Sequence, residues 1–139
     1  MKKLATSSTE LLLNYNSFTM RFLKSFLFAL NGLRDAIRHE KNFQIQCIVA
    51  LLVIIAGIFF SISAAQWIAI LICIAMVLSF EIMNSAIEKL CDFVCPSINP
   101  AIKKIKDLSA GAVLLSAIIS FIVGCIIFIP KIKMLLHSV

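Results

Sequence analysis

The sequence predicts an all-α integral membrane protein, with three transmembrane helices and an N-terminal amphipathic surface helix. Composition is the first reason, because 61% of the 139 residues are hydrophobic and only 14% are charged, against about 25% charged residues in a soluble domain. The second reason is that residues 42–80 and 108–130 contain no charged residue. A spanning helix needs about 20 mainly apolar residues, and both runs reach that length.

The first uncharged run, Asn42–Phe80, must fold back once to stay within a bilayer. A continuous helix rising about 1.5 Å per residue would reach nearly twice the apolar thickness. The break is predicted within FFSISAAQW (59–67), where serines interrupt the aliphatic residues and Gln66 with Trp67 resembles a membrane-interface pair. A loop with two prolines, CPSINP, follows the second span. The predicted membrane helices are residues 44–60, 64–94 and 101–130.

The segment before the first span, residues 21–41, predicts a helix with one basic face and one apolar face. Such a helix lies flat on a membrane surface, and Phe28 is the one residue that does not fit the division into faces. Residues 1–20 are predicted as an N-terminal tail, since they lack the long apolar core and the cleavage site of a signal peptide. The polar face comprises Arg21, Lys24, Ser25, Asn31, Arg34, Asp35 and Arg38.

Basic residues predict the orientation of the chain. Of the 13 Lys and Arg, all but Lys131 and Lys133 lie before the first span or near the loop that joins the second span to the third. Cytoplasmic segments carry the excess of basic residues, so the N-terminus is predicted in the cytosol and the C-terminus outside. All 7 acidic residues also fall on the cytosolic side. The net charge of +6 favours contact with anionic headgroups or phosphates. No nucleic-acid partner is predicted, because no soluble basic domain remains to hold one.

A stripe of polar residues interrupts the end of the second span. On a helix these side chains fall within an arc of about 100°. A carboxylate near lipid is costly unless it meets a partner, a cation or water, so Glu81, at the edge of the hydrocarbon, is a functional candidate. A solvated helix end is the plainer alternative, and we favour that alternative for Asp92. The stripe comprises Glu81, Asn84, Ser85, Glu88 and Asp92.

Lysines and small residues meet at the start of the third span. Lys103, Lys106 and Asp107 share a helix face, and residues 109–112 (SAGA) let helix backbones approach closely. Carboxylates suit Mg²⁺ together with phosphate oxygens, and lysines bind phosphate as point charges. A topology signal and plain packing are the alternatives for each group alone. Their coincidence at one depth favours a metal–nucleotide site facing a lipid, without a glycine-rich phosphate loop.

The five cysteines lie in apolar segments and are predicted to pack as small hydrophobic residues. Cys91 and Cys95 would face one side of a helix. A metal pair there is a minor alternative, because no histidine lies near them. Any function of these two thiols stays open.

The stretches EIMNSAIEKLCD (81–92) and KKIKDLSAGAVLL (103–115) resemble the signature of the small prokaryotic integral-membrane diacylglycerol kinase/undecaprenol kinase family. That signature reads E-x-x-N-[ST]-A-I-E-x-x-x-D, followed by A-K-D and a run of small residues; this chain has Ile105 in place of the alanine. The resemblance extends from about Arg21 to Pro130. It implies a homotrimer in the bacterial inner membrane, with active sites shared between neighbouring subunits.

The resemblance also implies a role for each site residue in an ATP- and Mg²⁺-dependent lipid kinase. Glu81 corresponds to the general base that takes the proton of the lipid hydroxyl, with Asn84 beside it, and Asp107 is grouped with these catalytic residues. Glu40 and Glu88 correspond to the magnesium ligands. The nucleotide-binding set comprises Arg21, Phe28, Glu40, Glu88, Lys106 and Asp107. The lipid-binding set comprises Arg21, Lys24, Gln46 and Glu81.

The stretch HEKNFQIQ (39–46) favours undecaprenol as the lipid, with undecaprenyl phosphate as product. It resembles the ERNFQ stretch of the undecaprenol kinase branch, whereas the diacylglycerol branch tends to have a glutamate where this chain has Gln46. A diacylglycerol kinase making phosphatidic acid is the first alternative. A non-catalytic membrane subunit or small transporter is a more distant one, disfavoured because no carboxylate lies near mid-membrane.

Overall fold

The computed structural model describes the backbone of residues 2–137 and the side chains of residues 20–137. The described chain folds into four α-helices: α1 (Lys2–His39), α2 (Lys41–Phe59), α3 (Ala64–Val94) and α4 (Pro100–His137). The chain forms two compact units, the first ending at His39 and the second beginning at Glu40. Helices α2, α3 and α4 are each long and apolar enough to cross a bilayer, which is the architecture of a multi-pass membrane protein.

Helix α1 begins well before the predicted surface helix. It starts at Lys2 rather than Arg21, so the segment predicted as a tail is helical. No proline precedes Pro96 and no glycine precedes Gly32, so nothing in this stretch terminates a helix. The amphipathic surface location of α1, and the division of the chain into tail, surface helix and spans, stay predictions.

The turn between α2 and α3 occupies Phe60–Ser63, inside the predicted break. Ser63 caps α3: its Oγ accepts a hydrogen bond from the Gln66 backbone N–H (3.4 Å), and Gln66 Oε1 accepts one from the Ser63 N–H (2.9 Å). This reciprocal arrangement satisfies two backbone donors at the helix start. Gln66, predicted as part of an interface pair, thus has a structural partner within its own helix.

Close packing supports this turn from both sides. A Cβ atom added to Gly57 would lie 2.8 Å from Cη2 of Trp67, so only glycine lets α2 approach the indole without displacement. Ser61 has a φ of 47°, a left-handed conformation that non-glycine residues adopt mainly in tight turns. Both features are typical of a short, closely packed turn between two antiparallel helices.

An apolar cluster packs beneath the turn; we call the turn and this cluster the hairpin end. Ile62, Ile70 and Ile127 are its buried members. The rings of Phe60 and Phe128 lie 6.1 Å apart, within the range of favourable aromatic pairs. The half-buried residues around it are Val53, Phe60, Trp67, Ala69, Ile74, Val123 and Phe128.

Helix α4 packs along α3 and continues past its predicted end. It begins at Pro100, where the missing proline N–H costs nothing, and Asn99 Oδ1 accepts a hydrogen bond from the Ala101 N–H (2.9 Å). The prediction ended this helix near Pro130, yet Pro130 lies within it and the helix ends at His137. Helices in membranes tolerate an internal proline when local adjustments satisfy the freed carbonyl.

Candidate active site

The polar stripe of α3 is turned towards the neighbouring helices. Glu81, Asn84 and Ser85 are buried, with exposed fractions of 3, 6 and 8%, and Glu88 is half-buried. Large apolar side chains on other faces of the same helix, such as Leu90, are exposed. A bilayer solvates apolar side chains, so a spanning helix gains by directing its polar groups inward.

A hydrogen bond joins Glu81 on α3 to Gln46 on α2. Gln46 Nε2 donates to Glu81 Oε2 at 2.9 Å, which brings together two residues assigned from the sequence to the lipid site. A neutral donor stabilises a buried carboxylate without adding a countercharge. The other amide atom, Gln46 Oε1, is buried and makes no hydrogen bond with the residues that the structure describes. A buried acceptor without a partner costs about 1–3 kcal/mol, so a donor from a ligand would be favoured here.

Asn84 and Glu88 form a second polar pair one turn along α3. Asn84 Nδ2 donates to Glu88 Oε1 at 3.0 Å. Within the described part of the chain, the buried Asn84 Oδ1 has no hydrogen-bond partner. A carboxylate beside an unpartnered amide oxygen forms a corner rich in acceptors, the kind of donor set that Mg²⁺ prefers.

Glu40 is held at the start of α2 by an ion pair that the sequence did not indicate. Its backbone is extended (φ −97°, ψ 104°) as the residue preceding the helix, and its Oε1 lies 2.8 Å from Lys89 Nζ. Lys89 is adjacent to Glu88, so the pair brings the predicted ligand on α2 to the level of the predicted ligand on α3. One signal was available: Lys89 is the sole basic residue between positions 42 and 102.

Lys106 links α4 to the end of α3. Its Nζ lies 2.5 Å from Asp92 Oδ1, and the Asp92 side chain is 67% exposed. Asp92 was predicted to be a solvated helix end; its side chain is largely exposed and also has an ionic partner in Lys106. Beside this pair, the α3–α4 loop forms a cleft of about 280 Å³ that Ser97, Asn99 and Lys103 also line. Asp107, next to Lys106, is exposed.

The remaining predicted site residues belong to the first unit. Arg21, Lys24 and Phe28 lie on α1, in the first unit; the Arg21 carbonyl accepts a hydrogen bond from Ser25 Oγ at 3.0 Å. Between residues 20 and 137, no three His, Cys, Asp or Glu side chains group as a metal site. Cys91 is buried, while Cys95 Sγ contacts the Ser97 carbonyl at 3.6 Å.

Comparison with known proteins relates this chain to a single protein family. The family model for prokaryotic diacylglycerol kinase matches residues 27–128. The chain is 40% identical over 111 residues to an undecaprenol kinase of Bacillus subtilis, covering 80% of this chain and 90% of that protein. It is 33% identical over 99 residues to a diacylglycerol kinase of Helicobacter pylori, covering 70% and 77% respectively. To a diacylglycerol kinase of Escherichia coli it is 28% identical over 114 residues, covering 82% and 93%.

Proposed function

The chain belongs to the prokaryotic diacylglycerol kinase family and is a membrane-bound lipid kinase, and we propose that it transfers the γ-phosphoryl group of ATP to undecaprenol. Membership in this family sets aside the transporter and non-catalytic alternatives. The observation that carries the proposal is the buried hydrogen bond between Gln46 and Glu81, which combines a carboxylate base with a neutral neighbour.

Glu81 is the proposed base. Because Oε2 is occupied by Gln46 Nε2–H, Oε1 is the oxygen that accepts the proton of the lipid hydroxyl. The deprotonating hydroxyl oxygen then attacks the γ-phosphorus as the bond to ADP breaks. Phosphoryl transfer depends mainly on positioning and charge stabilisation, and a positioned base contributes about 10²–10⁴-fold.

The acceptor-rich corner around Glu88 supports Mg²⁺ as the metal of the reaction. Glu88 and Glu40 would hold the ion, and the unpartnered Asn84 Oδ1 fits beside them. Two carboxylates are sufficient, because Mg²⁺ completes its coordination with phosphate oxygens and water. When bound, the ion neutralises charge on the transferring phosphoryl group. Glu40 must then exchange its contact with Lys89 for the ion.

Basic residues complete the proposed nucleotide site. Lys106 and Asp107 lie near the start of α4, and Lys106 Nζ forms an ion pair with Asp92 Oδ1. An exposed ion pair is weak, so a phosphate competes readily for that ammonium group. Arg21 and Phe28 are proposed to contact the nucleotide, and Arg21 and Lys24 the lipid.

Gln46 favours a polyprenol over a diacylglycerol. A diacylglycerol presents two ester carbonyls beside its hydroxyl, whereas a polyprenol presents a hydrocarbon tail. A second carboxylate beside Glu81 would be a buried charge that the polyprenol cannot satisfy. The 40% identity to an undecaprenol kinase agrees with this assignment, while the diacylglycerol kinase relatives support phosphatidic acid synthesis as the alternative.

One assay tests which lipid is the preferred substrate. The purified chain is given radiolabelled ATP with undecaprenol or diacylglycerol in the same detergent, and the two kcat/KM values are compared. We expect the higher value for undecaprenol, and Gln46→Glu should shift the ratio towards diacylglycerol. A wild-type preference for diacylglycerol would replace undecaprenol as the substrate and leave the kinase activity in place.

We also propose a homotrimer with shared active sites, its N-terminus in the cytosol and its C-terminus outside. The active site then faces the cytosol, where ATP is available. Multi-angle light scattering of the detergent-solubilised chain measures the assembly, and a mass other than three chains would overturn it. A protease-accessible tag placed after Val139 in intact cells reports the side of the C-terminus.

A further inference from the structure

A long apolar cleft leads away from Gln46 between α2, α3 and α4. It encloses about 580 Å³ and lies entirely within the unit that begins at Glu40. Its walls are almost wholly aliphatic and aromatic, and Gln46 is at one end of the α2 wall. The other hydroxyl or amide side chain in the wall is Ser120, whose Oγ donates to the Ser116 carbonyl at 2.8 Å. Gln46, whose buried Oε1 has no hydrogen-bond partner among the described residues, is thus the polar residue at this end of the cleft.

Resting on the proposed kinase function, we infer that this cleft binds the hydrocarbon chain of a single-chain isoprenoid alcohol, with its hydroxyl at Gln46. The hydroxyl donates to Gln46 Oε1 on arrival, and a small rotation redirects the same proton to the carboxylate of Glu81. Gln46 is thus a positioning residue that acts on both the alcohol and the base.

The dimensions of the cleft define which part of the lipid it holds. Along α4 the wall extends from Ala117 to Ile132, which corresponds to about 22 Å of helix at about 1.5 Å per residue. Four bonds of about 1.5 Å extend an isoprene unit by about 5 Å. The walls on α2 (46–53) and α3 (70–78) therefore flank about two units, and the α4 wall continues along about two more. A longer polyprenol therefore leaves the cleft after these units, and a two-chain lipid inserts one chain at most.

Shape complementarity, rather than the hydrophobic effect, supplies the selectivity. A hydrocarbon chain gains little by moving from lipid into an apolar cleft, because both surroundings are equally apolar. The gain comes from close packing and from satisfying Gln46 Oε1. Preference should therefore rise with chain length until the cleft is filled, and then level off.

The first test is binding without turnover. The full chain in detergent is irradiated with a diazirine analogue of geranylgeraniol, and the labelled peptides are identified by mass spectrometry. Adducts on cleft residues such as Val49, Ile74 or Phe121, displaced by unlabelled geranylgeraniol, support the inference. Adducts only outside the cleft overturn it, and they indicate that another segment or a second copy of the chain fills this space.

The second test compares geraniol, farnesol, geranylgeraniol and undecaprenol as acceptors. Gly124 lines the cleft, and a Cβ added to it meets no atom within 4 Å, so Gly124→Leu fills the empty volume. Overpacking of this kind should raise KM for geranylgeraniol and undecaprenol about tenfold and spare geraniol. Gly111→Leu is the matched control, because its Cβ also meets nothing and Gly111 does not line the cleft.

Gln46→Met tests the contact with the hydroxyl group separately from the contacts with the hydrocarbon chain. It should raise KM by the same factor for every chain length, because it removes the hydroxyl acceptor and leaves the cleft intact. Equal wild-type kcat/KM values for geraniol and undecaprenol would contradict binding of the hydrocarbon chain in the cleft, while leaving the kinase activity unchallenged. Failure to phosphorylate any alcohol would overturn the proposed function, and the labelling experiment would still decide whether the cleft binds an isoprenoid.

Discussion

At the hairpin end, Ile62, Ile70 and Ile127 are buried around a short turn, whereas at the opposite end of the same helices the buried residues are Glu81, Asn84 and Ser85. We call the latter group, with the partners of its stripe (Glu40, Gln46, Lys89, Lys106), the polar end. At the hairpin end, no buried side-chain nitrogen or oxygen of the described residues lacks a hydrogen-bond partner. The polar end keeps two buried acceptors without partners among the described residues. The hairpin end is therefore packed as an apolar core, whereas the polar end keeps hydrogen-bond acceptors that a donor from a ligand would satisfy.

Among the substitutions that test this difference between the two ends, Glu81→Gln is expected to have the largest effect. The new amide still offers a carbonyl oxygen to Gln46 Nε2, so the fold and Mg-ATP binding should persist, while turnover falls about 10²–10⁴-fold because the base is lost. Steady-state kinetics and calorimetric titration of Mg-ATP measure the two effects. Near-normal turnover would remove Glu81 as the base.

Glu88→Ala should have the next largest effect. Even the outer-shell partners of a metal ligand are worth roughly 10–100-fold in metal affinity. Removing a ligand should therefore raise the magnesium requirement and lower the affinity for Mg-ATP by at least that factor. Titrating activity with Mg²⁺ at constant ATP measures the change. Asp92→Asn removes a carboxylate from the same helix and serves as control; an unchanged Mg-ATP affinity in Glu88→Ala would contradict the proposed ligand.

Gly57→Ala tests the hairpin end. The added Cβ would lie 2.8 Å from Cη2 of Trp67 and 3.1 Å from Cδ1 of Ile62, and overpacking of this kind costs about 1–3 kcal/mol. Gly111→Ala is the matched control, because its Cβ meets nothing within 4 Å. Thermal unfolding in detergent should therefore place Gly57→Ala below Gly111→Ala, with activity per folded molecule preserved. Equal midpoints would show that the packing around Trp67 adjusts freely.

The smallest effect is expected from Asp92→Asn. The Lys106–Asp92 pair is largely exposed on the Asp92 side, and such pairs often contribute nothing measurable to stability. The unfolding midpoint should stay within experimental error of wild type, and the apparent affinity for ATP should change less than in Glu88→Ala. A large drop in the midpoint would mean that the pair, rather than the hairpin end, holds α4 against α3.

Sequence reasoning recovered the three apolar helices because charge-free runs and prolines mark them directly. It could not place the hydrogen bond between Gln46 and Glu81, although it selected both residues. All sides of a spanning helix are apolar, so hydropathy does not encode how α2 is rotated against α3. Lys89 was missed because its partner, Glu40, lies far along the chain. The sequence contains the S-x-x-Q pattern of a capping box at Ser63–Gln66. This cap was missed because Gln66 was interpreted as a membrane-interface residue.

The tight turn at residues 60–63 has a consequence for how this protein can vary. Gln46 lies about four helical turns before it and Glu81 about five turns after it. The short turn therefore fixes the lengths of helix that bring Gln46 and Glu81 together. One residue inserted into either helix between the turn and the pair would rotate the residues beyond it by about 100° and separate Gln46 from Glu81. Length variation among descendants of this sequence should therefore accumulate in the loop at residues 96–99, which offers the tolerance of an exposed connection.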